Sequence, residues 1–287
     1  MENSNQIILV IGATGNQGGS VARHLLQRGT FQVRAMVRDE NKPAARELKE
    51  RSAEVVKGDF NDRVSLDRAL QGVYGVFSVQ GLKAKMEVEI LEGQALADAA
   101  KAAGIKHFVY SSVGSAERKT GIAHFDSKFQ IEEHLRAGGL PYTIMRPVFF
   151  FYNYNSMRTT IDSGALYMPL SPGTRLQQLS EDDYGKMIAE VFERPADFLN
   201  REIEVASVDM TMTEIAVAFS RVMGKNIEYR QIPFEAFEQK AGEETTKMFR
   251  WFENVGYEAD LAELKRDFFE PTALESYLRE HDWGKST

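Results

Sequence analysis

Short apolar runs alternate with segments of helical spacing through the first half of the chain. The runs are Ile7–Ile11, Val33–Val37, Val55–Val56, Gly75–Val79, Phe108–Tyr110 and Tyr142–Met145. Between them lie Gly18–Gln27, Lys42–Arg51, Ser65–Leu70, Val88–Ala103 and Phe125–Leu135, each with helical spacing or composition. Strands alternating with helices over connections this short predict a parallel sheet covered on both faces. Right-handed crossovers then leave the doubly wound α/β arrangement as the economical solution.

The rhythm changes after Phe150. The aromatic and Asn-rich Phe149–Asn155 is followed by a Gly/Pro-punctuated stretch, Ser163–Thr174, and a helix start at Ser180. Ser180 and Asp183 have the spacing of a capping box, with Asp where Glu or Gln is usual. The neighbouring Glu181-Asp182-Asp183 reads as helix-start charge favoured by the macrodipole. Glu202–Val205 is strand-like, so residues 180–206 are expected to return to the main sheet. Thr213–Met223, Phe234–Gln239, Glu243–Glu253 and Pro271–Glu280 read as short helices. The expected organisation is a Rossmann domain over residues 1–155 and a smaller, mostly helical lobe for substrate or partner over residues 156–287.

Composition narrows the function classes. Of 287 residues, 43% are hydrophobic and 27% charged, as in a water-soluble globular protein. Net charge is −7 and no stretch gathers five or six Lys/Arg, which argues against direct nucleic-acid binding. The chain has no cysteine, so disulfides, Cys-based zinc sites and thiolate chemistry are excluded. Its five histidines (24, 107, 124, 134, 281) form neither HxH nor HExxH, so no metal site is expected. Glu132-Glu133-His134 reads as a polar helix face. Ser111-Ser112-Val113-Gly114-Ser115 lacks the spacing of a nucleophile elbow. Met1–Gln6 lacks the layout of a signal peptide, and no apolar run approaches the roughly 18 to 20 residues that span a bilayer. The expectation is a cytoplasmic protein with no membrane association.

One motif carries chemistry. Ile7–Ile11 runs straight into Gly12-Ala13-Thr14-Gly15-Asn16-Gln17-Gly18, where a helix opens. Gly12 permits a tight turn, Gly15 lets backbone approach a pyrophosphate, and Gly18 allows the helix to pack against the strand. Free N–H groups at the helix start then hold phosphate. The second strand ends in Met36-Val37-Arg38, where an NAD site would usually place an acid for the ribose 2′-OH. Arg38 can fork onto a 2′-phosphate and Lys42 can add a second charge, so NADP(H) is favoured. Ligands in such sheets lie beyond the carboxyl ends of strands, which adds Asp59 and Phe60 after the third strand and Ser78 after the fourth.

These pieces, with His124-Phe125-Asp126-Ser127-Lys128, Phe151-Tyr152-Asn153 and Met248-Phe249-Arg250, resemble the NmrA-like family of atypical short-chain dehydrogenase/reductases over nearly the whole chain. The likeness is greatest to the animal NADPH-sensor branch. The resemblance implies that Lys128 anchors the nicotinamide ribose, and that Phe151 and Asn153 flank the cofactor. Superfamily enzymes carry Tyr-x-x-x-Lys, in which the tyrosine protonates a carbonyl. Here the spacing is His124-x-x-x-Lys128, so the usual acid is missing and His124 stands as the candidate donor. Two functions follow. The first is an NADP(H)-binding redox sensor with weak or no turnover, acting on a protein partner through ordering of segments such as Gly81–Met86 and Phe149–Asn155. The alternative is an NADPH-dependent reductase of a quinone or similar flat carbonyl compound, stacked on the Phe149–Tyr154 aromatics.

Overall fold

In the computed structural model, which describes residues 5–81 and 85–285, the six expected strands form and lie side by side. They are β1 (Ile7–Ile11), β2 (Gln32–Val37), β3 (Glu54–Lys57), β4 (Val73–Ser78), β5 (His107–Ser111) and β6 (Tyr142–Pro147). A seventh, β7 (Glu202–Val205), completes a sheet ordered β7-β6-β5-β4-β1-β2-β3. From β6 to β3 every neighbouring pair runs parallel, with Ile11 opposite Met36 and Ser78 opposite Tyr110. The order reverses between β1 and β4, the point at which a doubly wound sheet leaves a crevice beyond its strand ends. Central strands buried on both faces explain why their sequences are continuous apolar runs without alternation.

The helices are α1 (Asn16–Arg28), α2 (Pro43–Glu50), α3 (Arg63–Leu70), α4 (Met86–Ala102), α5 (Ala123–Gly138) and α6 (Glu181–Glu193). Their ends follow local chemistry. Gly29 takes a left-handed conformation and donates its N–H to the Leu25 carbonyl, closing α1, while the Asp62 carboxylate caps α3 at the Val64 N–H. On one face of the sheet, Leu66, Leu70, Leu96, Ala100, Ile131 and Leu135 of α3, α4 and α5 pack on Leu9, Val76, Phe108 and Ile144. Each large aliphatic side chain in this layer contributes on the order of 1.5–3 kcal/mol through burial.

Two compact units interleave along the sequence. The first takes the residues up to Lys119, then Ala123–Arg146 and Tyr184–Ile203. The second takes Thr120–Ile122, Pro147–Asp183 and the residues from Glu204 onward. Within the second, Phe149–Phe150, Arg175–Leu179 and Val208–Thr211 form one small sheet, and Ala165–Met168 pairs in parallel with Glu228–Gln231. The Gly/Pro-punctuated stretch therefore contains a strand, Ala165–Met168, which its turn residues hid.

Three readings of charge are corrected. Ser180 does cap α6, accepting from Asp182 and Asp183 N–H. The reciprocal half of the capping box is absent, because the Asp183 carboxylate accepts instead from the Ser207 hydroxyl and from the N–H and hydroxyl of Thr272. Glu181, likewise, accepts from the Tyr277 hydroxyl at 2.7 Å, so two of the three helix-start acids clasp the C-terminal segment. The complete capping box is formed by Thr211 and Glu214. Glu132, expected on a polar face, is fully buried and binds Arg146 through both carboxylate oxygens. An arginine inside a strand needs a counter-charge, and the α5 register supplies it.

Candidate functional site

The turn after β1 is built from glycine. Gly12 has φ +68°, a conformation costly for other residues, and the Gly15 N–H donates to its carbonyl at 2.8 Å. A Cβ on Gly18 would run into the carbonyl oxygens of Ile11 and Gly12, so only glycine lets α1 start this close to the strand. No side chain caps α1, whose N-cap is Gly15. The first-turn amides are thus left for an acceptor from outside, the arrangement that suits a pyrophosphate. Thr14 and Asn16 are exposed beside this turn, and Gln17 is half-buried.

Gln17 is held in place. The Ser111 hydroxyl donates to Gln17 Oε1 at 2.7 Å, and the buried Tyr184 hydroxyl donates to Ser111 at 2.7 Å. The string fixes the amide so that its Nε2 donor is the end left over. Burial raises the Tyr184 phenol above its ordinary range, although the Ser111 hydrogen bond works the other way, so Tyr184 remains a neutral donor.

Beyond β2, the register that sets Ile11 opposite Met36 brings Arg38 to the same sheet end as Gly12. Arg38 and Lys42 are both exposed, and neither side chain has a hydrogen bond or ion pair among the described residues. Asp39 is tied into its own turn, accepting from the Asn41 N–H at 2.9 Å. After β3, Asp59 accepts from the Asn61 N–H at 2.9 Å, and Phe60 packs against the core. Ser78, at the end of β4, is buried and accepts from Gln80 Nε2 at 3.0 Å. Across from it, Tyr110 and Ser112 point to one face of the sheet while Ser111 points to the other.

Several buried polar atoms at these strand ends have no hydrogen-bond partner among the described residues: Gln80 Oε1, the Tyr110 hydroxyl and Ser112 Oγ. Burial, with the Glu89 and Glu132 carboxylates nearby, pushes the Tyr110 phenol well above its usual value. Orphaned polar atoms of this kind are uncommon in a closed core and fit a ligand-binding edge.

On α5, Lys128 is buried and donates to Glu89 Oε1 at 2.7 Å, and Ser127 donates to Glu89 Oε2 at 3.2 Å. Glu89, on α4, escaped the sequence reading because an acid in a first helical turn looks like ordinary macrodipole charge. His124, one turn before Lys128, is half-buried and meets the Phe125 ring edge-on at 4.8 Å. Phe151 and Asn153 belong to the second unit. There Phe151 is buried against Tyr277 at 4.9 Å, and the Asn153 carbonyl accepts from Ser156. Phe149, Phe150 and Tyr154 are buried too, with the Tyr154 hydroxyl donating to Gln178 at 2.6 Å, so most of that aromatic cluster is core. Of Gly81–Met86, the segment expected to order with cofactor, residues 82–84 lie outside those described. Among the described residues, no three His, Asp or Glu side chains gather as metal ligands would, and no helix is long and apolar enough to cross a membrane.

The glycine turn, the sheet order and the helix pair agree with a comparison of the whole chain against protein families, in which the model of the NmrA-like family matches residues 4–278. The chain belongs to the NmrA-like family. Among its family relatives, the oxidoreductase FrzB of Cladobotryum sp is 32% identical, over 81% of this chain and 78% of that protein. The NAD(P)H azoreductase of Xenophilus azovorans is 31% identical, over 81% and 79%. The triphenylmethane reductase of Citrobacter sp., solved with NADP(H), matches 96% of this chain and 99% of its own with TM-score 0.83 and 24% identity. The quinone oxidoreductase QOR2 of Escherichia coli with NADPH matches 96% and 99% with TM-score 0.81 and 22% identity. NmrA, a negative transcriptional regulator, solved with NADP, matches 96% and 95% with TM-score 0.79 and 24% identity. At these identities the solved structures speak to the fold. None of these proteins is an animal NADPH sensor, so the closeness expected to that branch gains no support from them.

Proposed function

We propose that this NmrA-like chain binds NADP(H) on its first unit and passes hydride to a flat, electron-poor acceptor. The observation that carries the cofactor reading is the uncapped, glycine-lined start of α1 with Arg38 and Lys42, unpaired among the described residues, at the same sheet end. First-turn amides of α1, with the fixed Gln17 amide, would hold the pyrophosphate, and Arg38 and Lys42 the 2′-phosphate. Ser78 would approach the cofactor where β4 ends, with Asp59 and Phe60 beyond β3. Lys128 would anchor the ribose on the nicotinamide side.

Bound NADPH supplies a hydride. What the chain supplies is orientation, and it supplies no superfamily tyrosine: residue 124 is histidine, and the Tyr110 phenol is buried and hard to ionise. Quinones and azo compounds suit such a site, because they can take their proton from water after hydride arrives, without a positioned acid. Relatives and structural neighbours named azoreductase, triphenylmethane reductase and quinone oxidoreductase support that class of acceptor. The redox-sensor reading stands second, favoured by the missing tyrosine and by the regulator NmrA among the structural neighbours.

Calorimetric titration with NADPH, NADP⁺, NADH and NAD⁺, on the wild type and on Arg38→Ala, tests the cofactor. The expected result is NADPH binding that the substitution weakens about tenfold, as for loss of one charge-assisted phosphate contact. Comparable NADH affinity that ignores the substitution would reverse the NADP assignment. NADPH oxidation followed against a quinone, an azo dye and a triphenylmethane dye then tests turnover. Tight NADPH binding with no oxidation across the three would overturn the reductase reading in favour of the sensor.

A further inference from the structure

Buried ion pairs are common enough as structure, so the test of a functional one is how many of its donors are used. On α5 two such pairs sit one helical turn apart, and they differ in this respect. Arg146 gives Nε and one terminal nitrogen to Glu132, the same nitrogen to Glu202 at 2.6 Å, and its other terminal nitrogen to Glu117 at 3.1 Å. That guanidinium places four of its five N–H donors on carboxylates within the protein. Lys128 has three N–H donors and gives one, to Glu89; the other two have no partner among the described residues.

A buried ammonium with unused donors is expensive unless something takes them. Glu89 is itself fully buried, and its two oxygens are held by the adjacent α5 residues Ser127 and Lys128. This two-point grip fixes the direction of the lysine side chain, which would otherwise sample many rotamers. Nearby stand the Tyr110 hydroxyl, without a partner among the described residues and made hard to ionise by burial first and then by Glu89 and Glu132, and, one turn along α4, Glu92. A pair of this kind adds little net stability compared with apolar packing, so its arrangement calls for another reason.

We propose that Glu89 is a positioning residue for the dinucleotide, holding Lys128 so that its two remaining N–H donors meet the hydroxyls of the ribose on the nicotinamide side. The assignment rests on the NADP(H) reading above. It predicts that Glu89 matters only for the half of the ligand that Lys128 reaches.

Calorimetry with two probes tests it: NADPH, and adenosine 2′,5′-bisphosphate, which has the 2′-phosphate but no nicotinamide ribose. Glu89→Gln and Lys128→Met should each raise the Kd for NADPH about tenfold, the scale of one charge-assisted hydrogen bond, and leave the bisphosphate unchanged. The double variant should bind NADPH no more weakly than Lys128→Met, because Glu89 acts through the lysine. Ser127→Ala, which removes only the weaker hold on Glu89, should give a smaller loss in the same direction and serves if Glu89→Gln does not fold. NADPH affinity within twofold of wild type in the Glu89 and Ser127 variants would overturn the proposal. So would equal weakening of both probes, which signals general damage. If the wild type binds neither probe, the NADP(H) reading falls first and the role of Glu89 with it; bisphosphate binding that persists while Glu89→Gln leaves NADPH unaffected removes Glu89 alone.

Discussion

The turn after β1 and the interior between α4, α5 and β6 handle charge in opposite ways. Around the turn, side chains are small or absent, backbone N–H groups are uncapped, and Arg38 and Lys42 extend into solvent without partners among the described residues. In the interior, Glu89, Lys128, Glu132 and Arg146 are buried and paired at 2.7–2.9 Å. A free surface cation costs the fold almost nothing and stays available to a ligand's phosphate. A buried one must be matched at once, and whatever donors remain after matching define what else it can hold. Charges of the first kind should therefore register in binding, and those of the second kind in stability, with binding affected as well only where donors remain, as on Lys128.

The sharpest way to break that distinction is Arg146→Ala. It removes both Arg146 hydrogen bonds to the fully buried Glu132 carboxylate and leaves it with Arg136 at 2.7 Å, so unfolding measured by denaturant should show a loss of about 3 kcal/mol. Arg146→Met combined with Glu132→Leu should recover most of it, since apolar packing replaces such pairs well. If the single variant were as stable as wild type, the interior charges would not be structural.

A neutral buried group gives the next effect. The Thr143 hydroxyl donates to the Phe198 carbonyl at 2.8 Å, so His107 Nε2 must donate to Thr143, leaving Nδ1 bare, buried and unpartnered. Burial lowers the His107 pKa to about 4 from 6.5. The unfolded chain takes up this proton at higher pH than the folded one. Its contribution is whole above pH 6.5, fades as pH falls, and is gone below about 4, a total of about 3 kcal/mol. Denaturant midpoints across that window should fall more steeply for wild type than for His107→Phe; parallel curves would remove His107 as the cause.

The smallest effect sharpens the other side. Arg38→Ala and Lys42→Ala should each move stability by less than about 0.5 kcal/mol, within the usual range for surface substitutions. A larger change in thermal unfolding would mean that these cations are not free.

The fold was legible because buried parallel strands write themselves as continuous apolar runs, and glycine at a strand–helix junction has few other uses. Gly12–Gly18 and Arg38 could be read locally for that reason. Glu89 could not, since its partner lies 39 residues away and an exposed acid would look the same in sequence. A signal did exist for Glu132: Lys128, Glu132 and Arg136 recur at every fourth residue beside Ile131 and Leu135, and Arg146 sits inside a strand. The aromatic run Phe149–Tyr154 was ambiguous for another reason. Aromatics suit a stacking pocket and a core equally well, and only burial separates the two.

The chain path also sets a timetable. The seventh strand of the first unit's sheet begins at Glu202, after the excursion from Pro147 to Asp183, and the Asp183 carboxylate waits for Thr272, 89 residues further on. During synthesis the first six strands can pair as they emerge, yet the sheet keeps an unprotected edge at β6 until β7 arrives. The clasp on Asp183 therefore closes late, and a chain stalled before Thr272 would carry Asp183 without that partner.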